Sequence, residues 1–275
     1  MKLKKKANGM IVMTILATLF GGCSFGETKI EYERLVKALD EGDMKTVISA
    51  SDDEYASIKE QARYSTFEEK EDGEHTRTIY QATSGIYNTK EKSFYGATTQ
   101  RIATDIENEK NIGDNKNYKK EIVYSTNIRY ENNQLKTPNQ SLDILHVKLI
   151  FDRLQGISKL KPSEDKKSFS EPSIISYDLT ESQFKQLIND KLKLEYDKFD
   201  SAILLIEFNS AKDTKENPME ITVMSITIGY EEKNEEGKMI SHDQKIEAYL
   251  HTKEDNNQTA KNKYEEYKKE YQDNK

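Results

Sequence analysis

A single cysteine, Cys23, stands in this chain of 275 residues. No intrachain disulfide can form, so whatever folds here must be held by a packed core rather than by covalent staples. The position of that cysteine is equally restrictive. Lys2, Lys4, Lys5 and Lys6 open the chain, residues 10–20 are apolar apart from Thr14 and Thr18, and Gly21 and Gly22 lead into Cys23. A basic start, a short apolar run and small residues at its end make a secretory signal. The run is too short to cross a bilayer core, which takes about 20 residues as a helix, and its lysines lie on the side that stays in the cytoplasm. The pattern predicts a leader over residues 1–22.

Leu19-Phe20-Gly21-Gly22-Cys23 resembles the lipobox of bacterial lipoproteins of the Gram-positive type, with Phe20 where an aliphatic residue is usual. The resemblance implies that the Cys23 sulfur receives a diacylglycerol and that a dedicated peptidase cuts just before it. The chain would then be lipid-anchored on the outer, extracytoplasmic face of the cell membrane, with the membrane itself as its first partner. Alkylation would also dispose of an odd thiol in an oxidising compartment. Two or more acyl chains anchor durably, whereas a single myristoyl chain is marginal.

The net charge is −7, and the leader would take four lysines with it. An acidic chain is a poor nucleic-acid binder, because cationic contacts to phosphate dominate such binding. It is equally unsuited to a broad electrostatic embrace of anionic lipid. Charged residues make up 33% of the chain against 35% hydrophobic, close to the balance of disordered chains. The apolar residues nevertheless cluster in periodic blocks between polar turns, as in a folded domain.

Residues 23–29 read as a lipidated tether, residues 30–256 as one α+β domain with a hinge at 158–172, and residues 257–275 as a charged C-terminal helix. Tyr32, Leu35, Val36 and Leu39 share a helical face, Gly42 suits a stop and Asp43 a cap, and Met44, Val47 and Ile48 suit a second short helix. Period two takes over from His75: strands are expected over 76–84, 93–106 and 118–130, in a meander. In the third, Ile122, Tyr124, Ile128 and Tyr130 should share a face. Thr98, Thr99 and Thr104 point to a polar, solvated sheet face.

Ser141 suits the cap of a helix over 142–154 that is apolar nearly all round, so a curved sheet should wrap it. A strand at 174–179 and a capping box at Thr180 and Gln183 precede a helix with Phe184, Leu187, Ile188 and Leu192. Strands over 202–208, 219–230 and 245–250 follow. This order predicts an α+β fold with a curved, largely antiparallel sheet packed on helices. Gly85, Tyr87, Asn88 and Lys90, followed by Phe94-Tyr95-Gly96, are similar to a hairpin of the lipoprotein-carrier superfamily of LolA and LppX and of uncharacterised lipoproteins. That resemblance implies a half-barrel closed by helices, and a cavity for acyl chains.

Catalytic and metal motifs are missing. Gly22-Cys23-Ser24-Phe25-Gly26 matches G-x-S-x-G but straddles the expected cleavage point, not a strand-to-helix turn. There is no phosphate loop, dinucleotide fingerprint or H-E-x-x-H. His75, His146, His242 and His251 are not spaced like metal ligands on one helix face. Asp114, Lys116 and Tyr118 fail the calcium-loop pattern. No catalytic, cofactor-binding or metal residue is assigned, and Cys23 is the one site residue. The expectation is a non-catalytic, membrane-anchored module that binds an envelope protein or a hydrophobic ligand, and no nucleic acid. A lipid or lipopeptide carrier and an enzyme without a recognisable motif are the alternatives.

Overall fold

A computed structural model describes residues 27–48, 55–107, 117–131, 134–142, 144, 149, 153–168, 170–251 and 257–274. The expected leader and Cys23 lie outside the described residues, as do His146, Asp114 and Lys116.

The chain enters through β1 (Thr28–Lys29) and an αα-hairpin. Helix α1 (Glu33–Glu41) buries Leu35, Val36, Ala38 and Leu39, and it stops at Gly42, whose φ of 72° the missing side chain permits. Asp43 then opens α2 (Met44–Ile48), accepting bonds from the Thr46 N–H (3.4 Å) and hydroxyl (2.6 Å). The expected hairpin is present.

Nine strands form the main sheet. They are β2 (Tyr55–Lys70), β3 (Gly73–Asn88), β4 (Ser93–Glu107), β5 (Lys119–Glu131), β6 (Gln134–Lys136), β8 (Ser173–Asp178), β9 (Lys198–Phe208), β10 (Ile221–Lys233) and β11 (Met239–His251). Their order is β6-β5-β4-β3-β2-β11-β10-β9-β8, and every pairing is antiparallel. The α+β class with an antiparallel sheet on helices is thus as expected. The sheet itself is open and uncurled, with β6 and β8 at its edges, and not a half-barrel.

The sequence pattern assigns no strand to β2, yet β2 joins the two halves of the sheet through β3 on one side and β11 on the other. Its inward positions run Ala56, Ile58, Glu60, Ala62 and Tyr64, and the carboxylate in the middle breaks the apolar alternation. Glu60 is only 2% exposed, and its Oε1 accepts a bond from the Leu149 N–H (3.1 Å).

The inner face carries one continuous core, from Ile58 and Ile79 through Ile246 and Ile226 to Leu204 and Ile175. The αα-hairpin covers part of it. So does α3 (Glu181–Phe184), continued by a π-helical turn over Lys185–Asn189 and by α4 (Asp190–Leu192). The Thr180–Gln183 capping box forms as expected. The helix expected over 142–154 is not found at its described residues. Asn139 Oδ1 accepts from the Ser141 N–H (3.1 Å) and hydroxyl (2.7 Å), a local turn where a helix cap was expected. Leu149 takes a φ of 45°, outside helical space, although Leu149 and Leu154 are both buried. The other residues of that expected helix lie outside the described residues. Within 158–172, β7 (Lys166–Lys167) pairs with β1, and Glu164 bridges Ser176.

The C-terminal helix α5 (Asn257–Asp273) lies against the outer face. Its Tyr264 and Tyr271 pack edge-on against Tyr95, and Ile86 and Ala260 complete this second, smaller core. The Tyr264 hydroxyl donates to Glu91 (2.8 Å) and lies 2.6 Å from Ser93 Oγ.

The threonines expected on a solvated face divide between the two faces. Thr98 is buried on the inner face, 2.8 Å from Thr83 Oγ1 and bonded by Gln81, whose Oε1 accepts from Tyr124 (3.0 Å) and Gln100 (3.3 Å). Thr99 points outward, 3.0 Å from Ser125 Oγ. Ile122 does not share the buried face of Tyr124, Ile128 and Tyr130, and is 66% exposed. A bulge opposite Gln100 and Arg101 places Val123 as an extra residue, and an inserted residue reverses the side-chain alternation beyond it.

Candidate binding face

Strand alternation decides what meets on the outer face. Lys245 of β11 lies opposite Arg63 of β2, Arg63 opposite Tyr80 of β3, Tyr80 opposite Arg101 of β4, and Arg101 opposite Ile122 of β5. One row perpendicular to the strands therefore carries Lys, Arg, Tyr and Arg in succession. Neighbouring strands sit about 4.8 Å apart, so the row from Lys245 to Arg101 spans about 14 Å. One register step away, Lys120 of β5 brings its ammonium to 5.4 Å from the Tyr80 ring centre.

The row borders a depression of about 470 Å³ that opens to solvent. Its floor includes Ala82 and Thr99, and Gln61 and Glu247 lie on its far side. A volume of this size falls in the range of small-molecule sites, about 300–1,000 Å³. α5 crosses the same face at Tyr55, Ile86 and Tyr95, towards one end of the strands, and leaves the depression uncovered.

The charges do not cancel. Asp243 binds Arg63 (3.0 Å) and Glu247 binds Lys245 (2.9 Å), so two of the four cations are paired. Among the described residues, Arg101 and Lys120 have no carboxylate partner. Like charges directly opposite on paired strands oppose folding, and Lys245 against Arg63 is such a pair. The exposed ion pairs that offset it are each worth about 0–1 kcal/mol.

A second polar group lies on the inner face, at the far end of β11. His242 stacks on Tyr230 with ring centres 4.7 Å apart, its Nδ1 lies 3.3 Å from Thr66 Oγ1, and Glu232 is 3.8 Å from Nε2. Burial holds the His242 pKa below the ordinary imidazole value, against the opposing pull of Glu232. The Tyr230 hydroxyl accepts from Gln244 Nε2 (2.6 Å), and burial pushes its pKa up to about 12. His75 Nε2 lies 2.7 Å from Asp72 in the β2–β3 turn, far along the strands. Glu247 and His251 fall on a strand, as expected. Among the described residues, no three His, Cys, Asp or Glu side chains converge as metal ligands.

No residue singled out from the sequence belongs to the cation row, although Tyr80 falls within the strand expected over 76–84. Arg63 sits on the unassigned strand. Lys245, Arg101 and Lys120 are ordinary surface cations until strand pairing aligns them. The recoverable signal was their outward parity on three long alternating strands; which strands are neighbours was not recoverable.

A family model described as a domain of unknown function, DUF3952, matches residues 18–122. That span contains β2, β3, β4 and the start of β5, and with them Arg63, Tyr80, Arg101 and Lys120. No curated protein matches the chain.

Proposed function

We propose that this chain is a membrane-anchored extracytoplasmic lipoprotein whose folded part is a non-catalytic binding module, with the uncovered part of its outer sheet face as the binding surface. The anchor is the acylated Cys23 sulfur, as the lipobox resemblance implies. The observation that carries the binding reading is the row Lys245–Arg63–Tyr80–Arg101 beside Lys120. Like charges directly opposite, as Lys245 and Arg63 are, oppose folding, and places where a sequence breaks such local rules concentrate at functional sites. The chain is acidic as a whole, so four cations around one depression run against its general composition.

Two measurements test the proposal. Cys23→Ala should abolish entry into the detergent phase once the leader is removed; a processed mutant that still partitions into detergent would refute the anchor. Native mass spectrometry of the detergent-released full chain should show a retained, non-lipid ligand, lost on substitution of the cation row. A retained acyl-chain mass would instead favour the carrier alternative.

A further inference from the structure

We infer that the ligand of this face is a small molecule bearing two or more phosphate groups, seated across Tyr80. This rests on the binding-module reading above and adds the ligand's chemistry. The cations form two groups, from the strands either side of Tyr80. Arg63 and Lys245, already paired with Asp243 and Glu247, lie on the β2 and β11 side; Arg101 and Lys120, which have no carboxylate partner among the described residues, come from the β4 and β5 side, with the Lys120 ammonium over the ring.

Arg63 and Arg101 stand on strands two apart, with their backbones about 10 Å from each other, room for two anionic groups of one molecule. Between them Tyr80, 38% exposed, and Ala82 offer an apolar floor for the part of the molecule that joins those groups. A volume of about 470 Å³ suits a small molecule better than a folded partner.

Charge count favours phosphate over carboxylate. Lys245 and Arg63 are directly opposed on paired strands, about 5 Å apart, close enough for several oxygens of one group to contact both cations. A phosphate monoester brings up to two negative charges and three acceptor oxygens to that gap, whereas a carboxylate brings one charge and two oxygens. Arg adds a planar fork that matches phosphate oxygens in pairs.

The test is titration calorimetry of the full chain in detergent at low salt, with sodium tripolyphosphate and, separately, citrate. Saturable binding of tripolyphosphate is expected, with citrate weaker. Arg101→Gln combined with Lys120→Gln should weaken tripolyphosphate by about tenfold or more, the scale of losing charge-assisted contacts. Both residues are exposed, so circular dichroism should show the variant folded. Lys37→Gln combined with Lys45→Gln, on the distant αα-hairpin, should leave the affinity unchanged. Absence of saturable tripolyphosphate binding, equal or tighter citrate binding, or equal losses in both double variants would overturn the phosphate assignment. A ligand of other chemistry in native mass spectrometry would overturn it too, while leaving the binding-module reading intact.

Discussion

Gly85 and Gly96 face each other across β3 and β4, and the Phe94 ring lies over both. A Cβ built on Gly96 would stand 2.2 Å from the Ser84 carbonyl oxygen and 2.7 Å from Gly85 Cα, both backbone atoms that cannot step aside. These glycines are required by close approach, not by an unusual φ. Gly96→Ala should therefore destabilise the fold by about 3 kcal/mol, at the upper end of overpacking costs, measured by urea unfolding. A loss under about 0.5 kcal/mol, the range of ordinary surface substitutions, would show that the strands can separate to admit the methyl. At the same scale, His242 makes stability depend on pH. Its folded pKa lies below the ordinary value of 6.5, so the unfolded chain binds a proton at a higher pH than the folded one does. The contribution is complete above 6.5 and shrinks as pH falls towards the folded pKa. The urea midpoint should drop between about pH 7.5 and about pH 5.5, and His242→Phe, which keeps the stack on Tyr230, should flatten that dependence. An unchanged pH dependence in the variant would place the titrating group elsewhere.

Helix α5 is the element whose docking depends most on a few contacts. Its charged length offers only a thin tyrosine stripe to the sheet, and Tyr264 supplies both a fully buried ring and two hydrogen-bond contacts. Tyr264→Phe keeps the ring and removes the hydroxyl that meets Ser93 and Glu91, a change worth about 1–3 kcal/mol when buried partners are left unsatisfied. Hydrogen exchange should show faster opening of α5 in this variant, with amides of β9 and β10 unchanged. Uniform acceleration across the sheet would mean that α5 and the sheet open as one unit. The bulge on β5 acts at this scale too: by inserting Val123 it turns Ile122 outward at the end of the cation row, which no alternation pattern along β5 alone would indicate.

Across the whole molecule, the register between β2 and β11 runs from Ser57–His251 to Phe67–Ser241 and unites the amino-terminal and carboxy-terminal meanders in one sheet. The inner core is continuous across that seam. Thermal unfolding should accordingly be a single cooperative transition, the behaviour of one core, and EDTA should not move its midpoint. Two resolved transitions would mean that the halves fold independently; a shift with chelator would reveal a structural metal.

Much of the local architecture is legible in the amino-acid sequence alone. Gly42 and Asp43 ended one helix and began the next because their backbone and capping preferences act within a few residues. The Thr180–Gln183 box formed for the same reason. Most strands announced themselves by alternation, since one face of each meets the core. β2 did not, because Glu60 occupies an inward position and takes a backbone N–H from Leu149, 89 residues away in the chain. The apolar stretch from Leu142 departs from expectation at its described residues: Leu149 and Leu154 are buried as its hydrophobicity indicates, but the Asn139 turn and the left-handed Leu149 are not helical. The candidate site belongs wholly to tertiary structure. Lys245, Arg63, Tyr80 and Arg101 are scattered over more than half the chain, and only the choice of strand neighbours and their register sets them in a row. Capping and alternation are local and can be read from the sequence; strand order depends on the packing of the whole core, which no single segment specifies.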